Sequence, residues 1–310
     1  MGSARGSRSA RHLRSARHLR VLAVGVAAFA SGCGSSGGGA STTPDSGIVD
    51  GSTKAPCSEP LTSRPPGSAC VRTVSGRLVE DDASSAPLTL LTTVCGAGLC
   101  VLAKGDASGF QVALNRFVDL DASFVVHVDG RPSHANVFLR LARTSAEAVV
   151  LENAIRVPKL GTVGPALPDS PVKLTTRVTS GDVTVTLTEG TTIALDFADA
   201  ALEAAGRNLR AGRVSSAAFA DPDIVALYAL APFAAVLEPP AAIAVGAPAE
   251  AGLADGTVVD LVALDDTLDG PDIGKLVVVG TATVSGGVAT SDPGTGLSRL
   301  TWVGLRRKAP

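Results

Sequence analysis

Past its arginine-rich start the chain has only two histidines, His127 and His134, and Asp129 lies between them. Residues two apart on a strand share a face, so His127 and Asp129 point the same way. The turn Gly130-Arg131-Pro132-Ser133 can then fold His134 back beside them. Two imidazoles and a carboxylate are a ligand set for a transition metal and equally an acid/base set. The same residues also suit a polar hairpin tip, the reading the spacing favours, so no catalytic residue, metal or cofactor is assigned. A second group, Asp265, Asp266, Asp269 and Asp272, crowds one loop. Calcium takes several carboxylates from a flexible loop, but the EF-hand spacing and its closing Glu are missing. A solvated turn accounts for the group. Gly34-Ser35-Ser36-Gly37-Gly38 spells G-x-S-x-G, without the strand and helix that a nucleophile elbow needs. There is no H-E-x-x-H, no Gly-Lys-Ser/Thr phosphate loop and no dinucleotide fingerprint.

The cysteines say more about location. Arg5, Arg8, Arg11, Arg14, Arg17 and Arg20 precede a short apolar run ending in Ala30-Ser31-Gly32-Cys33. This is the layout of a secretory leader, residues 1–32, with an apolar run too short to span a bilayer, which takes about 20 residues. Ala30-Ser31-Gly32-Cys33 resembles the bacterial lipoprotein cleavage box. That resemblance implies an acylated Cys33 as the first mature residue and, with Gly34 after it, an outer-membrane destination. Ala28-Phe29-Ala30 offers a competing ordinary cleavage site, which would release a soluble chain from Ser31. Setting Cys33 aside leaves an even four, Cys57, Cys70, Cys95 and Cys100. In an oxidising compartment these suit two disulfides, Cys57 with Cys70 and Cys95 with Cys100.

Composition excludes whole classes. Of 27 basic residues six lie in the leader, so the remaining 21 stand against 29 acidic ones, a net charge of −8. A nucleic-acid partner is not expected without a basic footprint. Aromatic residues make up 3% of the chain, so the core must be built from Val, Leu and Ala. Residues 33–69 are mainly Gly, Ser, Thr and Pro and read as a flexible tether.

From Cys70 onward the pattern has period two. Val74 to Leu78, Leu88 to Val94, Cys100 to Ala103, Phe110 to Leu114, Phe124 to Val128 and Asn136 to Leu141 are short apolar runs separated by Gly, Asp, Ser and Pro. That spacing indicates an all-β fold of sandwich type. A second series follows the prolines at 158, 165, 168 and 171. Asp182–Leu187 and Thr191–Phe197 read as a hairpin around Glu189-Gly190. Asp199 to Gly206 reads as a short helix with Asp199 as cap. Strands resume at Ile224–Leu230, Ala242–Val245, Val258–Leu264, Lys275–Val284 and Arg299–Gly304.

Val74-Ser75-Gly76-Arg77-Leu78, Pro87-Leu88, Asp106-Ala107-Ser108-Gly109-Phe110 and Phe124 to Val128 together resemble the transthyretin-like, carboxypeptidase-regulatory module of bacterial surface proteins. The resemblance covers residues 70–145 and implies a structural or positioning role with no active site. Ala231-Pro232-Phe233, Leu237-Glu238-Pro239-Pro240, Ala251-Gly252-Leu253 with Gly256, Leu264-Asp265 and Ser291 to Leu297 with Thr301-Trp302 resemble the sandwich module of ankyrins and netrin receptors. Residues 146–306 would then be a scaffold or interaction module. The expectation is two β-sandwich (Ig-like, transthyretin-like) domains on a lipid-anchored envelope protein. Its role would be non-catalytic binding or scaffolding, with a protein or glycan partner. An envelope glycan- or peptidoglycan-processing enzyme and a purely structural spacer are the rivals.

Overall fold

Alternating segments become short strands in the computed structural model, which describes residues 71–308 apart from 72, 97–98, 115–123, 143–147, 217, 220 and 269. The leader, Cys33, the tether and the pair Cys57 and Cys70 lie outside the described residues. The fold is all-β. Its first ten strands are β1 (Thr73–Gly76), β2 (Leu78–Glu80), β3 (Leu91–Gly96), β4 (Leu99–Leu102), β5 (Lys104–Asp106), β6 (Gly109–Ala113), β7 (Val125–Asp129), β8 (Val137–Arg140), β9 (Ala148–Val150) and β10 (Ile155–Val157). They form one four-stranded sheet in the order β5-β6-β1-β9, another in the order β4-β3-β7-β8, and the pair β10-β2. Val74, Phe110 and Val112 of the first sheet share a core with Val94, Val126 and Val128 of the second. Residues 148–157, on the far side of the boundary drawn at 145, run parallel to 73–80. Val149 is opposite Val74 and Ile155 is opposite Leu78.

The remaining strands are β11 (Thr176–Ser180), β12 (Val183–Leu187), β13 (Thr192–Ala194), β14 (Arg210–Arg213), β15 (Ile224–Ala231), β16 (Ala235–Gly246), β17 (Val258–Leu264), β18 (Leu276–Ser285), β19 (Val288–Ser291), β20 (Leu297–Leu300) and β21 (Trp302–Arg306). They make a single eleven-stranded sheet along β11-β12-β16-β19-β18-β17-β21-β15-β14, with β13 and β20 also on β16. At one point the two ends of the path meet, where the Ala211 N–H donates to Ser180 Oγ at 3.0 Å. The passage before β11 covers the outer strand, its Gly161 and Gly164 N–H groups donating to Ala211 O and Leu209 O. An edge that would otherwise offer itself to another chain is thereby closed.

Strand β15, Ile224-Val-Ala-Leu-Tyr-Ala-Leu-Ala, lacks clean alternation because both its faces are buried. Ala226, Tyr228 and Leu230 face the interior of the large sheet. Leu227, Ala229 and Ala231 join the core of the first ten strands. Trp302 and Leu264 join that core too, so the apolar contents of the two regions are continuous across β15, β17 and β21. Burial of this kind contributes roughly 25 cal/mol per Å². No helix among the described residues is long and apolar enough to cross a membrane.

Two local expectations change. Glu189-Gly190 is not a hairpin turn, since β12 and β13 both run antiparallel to β16, Val185 opposite Ile243 and Ile193 opposite Leu237. They are successive pieces of one broken strand. The two-residue turn is instead Gly181-Asp182, between β11 and β12, where Ser180 faces Val183. The helix also starts earlier. α1 is Phe197–Ala200 and its cap is Asp196, whose side chain accepts from the Ala198 N–H. Asp199 falls inside the first turn and is buried. Ala205–Arg207 follows as a 3₁₀ turn. Strand β16 runs through Pro239-Pro240, which fall in the gap of its pairing between Val236 and Ala241, where no ladder N–H is needed.

Candidate functional site

The β7–β8 hairpin, which carries every histidine candidate, is packed into the seam between the small sheets and the large one. The seam scatters the sequence-predicted site residues. His127 sits opposite Phe138 and stacks on it, ring centroids 4.4 Å apart at 16°. Phe138 stacks in turn on Phe233 from the other side of the seam, at 5.8 Å and 19°. Burial holds the His127 imidazole below its usual pKa, with Asp129 opposing, so the ring stays neutral. His134 turns to Glu80 of β2, Nε2 to Oε1 at 3.1 Å, with Ser133 Oγ on its Nδ1 at 2.9 Å. Asp129 turns to Arg131. Among the described residues no three His, Cys, Asp or Glu side chains come together as a metal site.

Arg131 organises what takes their place. Its Nε and Nη2 donate to the two oxygens of Asp129 at 2.9 and 2.8 Å. Its Nη1 reaches across the seam to Asp196 at 2.6 Å and Asp199 at 3.4 Å. A guanidinium fork suits this shared arrangement as an ammonium does not. Asp199 Oδ2 also accepts the Phe233 N–H at 2.8 Å, and its side chain is only 3% exposed. Three carboxylates against one guanidinium leave a surplus of negative charge in a region poor in water. Burial accordingly pushes Asp199 up to about 6, against the pull of Arg131 and the Phe233 N–H. Burial also works to raise Asp129 and Asp196, but their hydrogen bonds and the Arg131 charge outweigh it and hold both below the ordinary carboxylate range.

The pH dependence follows. A carboxyl raised on folding keeps its proton where the unfolded chain has lost it, so its contribution to stability falls as pH rises from about 4 to about 6. Asp129 and Asp196 act oppositely, their contribution being lost only as pH falls below about 4. Asp199→Asn keeps an oxygen for the Phe233 N–H and is expected to be the more stable protein at pH 7.5, by roughly 1–3 kcal/mol. It should flatten the slope between pH 4 and 6. Urea denaturation across that range checks it; an unchanged slope would contradict the assignment.

The rest of the seam is polar at the rim and apolar within. Trp302 Nε1 donates to Asn136 O at 2.9 Å. Asp81 at the end of β2 accepts the Ser215 N–H at 2.8 Å and the Ser215 hydroxyl. The acidic loop between β17 and β18 closes over the disulfide-bearing sheet. Ile273, fully buried, packs with Cys95, Val125 and Phe138, and Arg140 Nη1 donates to Pro271 O at 2.9 Å. Gly274 has φ 72, which lets the loop turn close to the Phe138 carbonyl where a side chain would crowd it. The loop's acids have separate partners: Asp265 accepts the Thr267 N–H, Asp266 pairs with Arg299 at 3.2 Å and Asp272 with Lys275 at 2.9 Å. Asp269 lies outside the described residues.

Cys95 and Cys100 are bonded, facing each other across β3 and β4. With a sequence separation of 5 the closed loop is short, and the bond is worth about 2 kcal/mol by loop-closure entropy. Replacing both cysteines by serine is expected to lower the unfolding free energy by about that much, read by urea denaturation.

The seam residues were not visible as a site in the sequence. Arg131 was one member of a turn and Asp199 a helix cap, and they are separated by 68 positions. No spacing rule links such residues. Comparison of the chain with protein-family models, with curated proteins and with solved structures finds no match.

Proposed function

We propose that this chain is a lipid-anchored protein of the bacterial cell envelope with a non-catalytic binding or scaffolding role. Cys33 is acylated after loss of residues 1–32 and holds the protein at the outer membrane through the tether 33–69. Regions 70–145 and 146–306 act as two β-sandwich modules, transthyretin-like and ankyrin/netrin-receptor-like, joined into one body that presents a surface to an envelope protein or glycan. One observation supports the non-catalytic reading most: His134, Asp129 and Asp199 are already engaged with neighbouring protein groups, and the His127 ring is stacked against Phe138. His134 is held by Glu80, Asp129 by Arg131, and Asp199 by the Phe233 N–H and Arg131. The mature charge of −8 fits no nucleic-acid partner. Two or more acyl chains would anchor firmly, where one holds only marginally.

Mass spectrometry of the mature N-terminus tests the anchor, with a triacylated Cys33 expected. An unmodified chain beginning at Ser31 would overturn it. Crosslinking in intact cells tests the role, a reproducible protein or glycan partner being expected and an empty result favouring a spacer.

A further inference from the structure

Strands β1 and β2, at the start of the described chain, lie beside β9 and β10 and run the same way as they do. Thr73, Val74 and Ser75 are opposite Ala148, Val149 and Val150. Leu78, Val79 and Glu80 are opposite Ile155, Arg156 and Val157. Hydrogen bonds carry the pairing through the joints between these strands. The Leu151 N–H donates to Ser75 O at 2.8 Å, the Ile155 N–H to Arg77 O at 2.8 Å and the Asp81 N–H to Val157 O at 3.1 Å. On its other flank β1 is held antiparallel by β6, Val74 opposite Val112. Val74, Leu78, Ile155 and Val157 are buried, which keeps water from competing for the ladder.

Parallel pairing decides how a pull is carried. Thr73 at the entry of β1 and Val157 at the exit of β10 lie at opposite ends of the paired run, roughly 20 Å apart at the rise of extended chain. A force that draws residue 71 one way while the chain beyond 157 is held acts along the strands and across their hydrogen bonds. The bonds then stretch together, whereas a pull on adjacent ends parts them one at a time. From this arrangement we infer that β1, β2, β9 and β10 form a mechanical clamp that bears tension between the N-terminal side of the body and the large sheet. The load presupposes the anchor at Cys33 proposed above and a partner held by the large-sheet region. The resistance does not: a chain beginning at Ser31 would lose the load and keep the clamp.

The test is optical-tweezer pulling of the mature chain, with one handle at its N-terminus and the other at residue 163 or at residue 148. Val163 is 62% exposed and lies just beyond the clamp. Ala148 is exposed and opposite Thr73, so a handle there parts the strands from one end. Forced unfolding is governed by the unfolding rate. At one constant load the time to first rupture is expected to be at least about tenfold longer with the handle at 163, the rate equivalent of one or two ladder hydrogen bonds breaking together. Leu151→Pro removes the donor to Ser75 O and should shorten that time several-fold with the handle at 163, while changing it little with the handle at 148. If this variant is too unstable to pull, the two placements on the unaltered protein still decide. Equal times in the two placements, a shorter time at 163, or a Leu151→Pro protein unaffected at 163 would overturn the inference.

Discussion

Arg131→Met is expected to destabilise the protein by about 3–5 kcal/mol at pH 7.5, the usual cost of removing one partner from a buried charge group. Methionine fills much of the same space, so the loss reports the charge and not a cavity. Asp199, 3% exposed, would keep only the Phe233 N–H for its charge, and Asp129 would lose two hydrogen bonds. The cost should shrink toward pH 5, because Asp199 then takes up a proton and needs no cation. Arg131→Lys should recover only part of the loss, since an ammonium cannot satisfy Asp129 through two parallel bonds while reaching Asp196. Urea denaturation at the two pH values is the measurement. A loss under about 1 kcal/mol at pH 7.5 would place Arg131 among ordinary surface pairs.

Trp302→Ala should cost about as much, roughly 3–5 kcal/mol. Trp302 is the chain's single tryptophan and is 3% exposed. It lies in the core shared with Val126, Val128 and Phe233. Its truncation opens a cavity at the seam and strips the Asn136 carbonyl of its donor. Trp302→Phe separates the two effects, keeping most of the apolar contact and losing the N–H, with about 1–2 kcal/mol expected from the unsatisfied carbonyl. A Trp302→Ala protein as stable as the parent would show that the two regions do not lean on this contact.

Much of the strand pattern could be read from residue types. Val183–Leu187 alternates and is buried on one side, and Val258–Leu264 and Leu276–Ser285 carry enough β-branched residues to declare themselves. Strand β14 did not. Arg210-Ala-Gly-Arg has two charged ends and a glycine, and it is a strand because Gly212 lets the backbone near Lys159 approach where a side chain would collide. Strands β9 and β10 were hidden for another reason: three residues each are too short to show a period, and their pairing with β1 and β2 is long-range. Glu189-Gly190 misled because glycine marks any sharp change of direction, including a break within one strand. The seam was the least legible part. Arg131 and Asp199 look like a turn residue and a cap until the fold brings them together, and nothing local distinguishes a buried ionic group from a solvated one.

The described residues between 71 and 308 are expected to unfold as one cooperative body held along this seam. Native-state hydrogen exchange tests it most directly, by comparing the slowest amides of β1 and β6, Val74 and Val112, with those of β12 and β16, Val185 and Ile243. One shared opening free energy is expected, lowered equally in both places by Arg131→Met. Two separate values, with Arg131→Met lowering neither or only one, would contradict it.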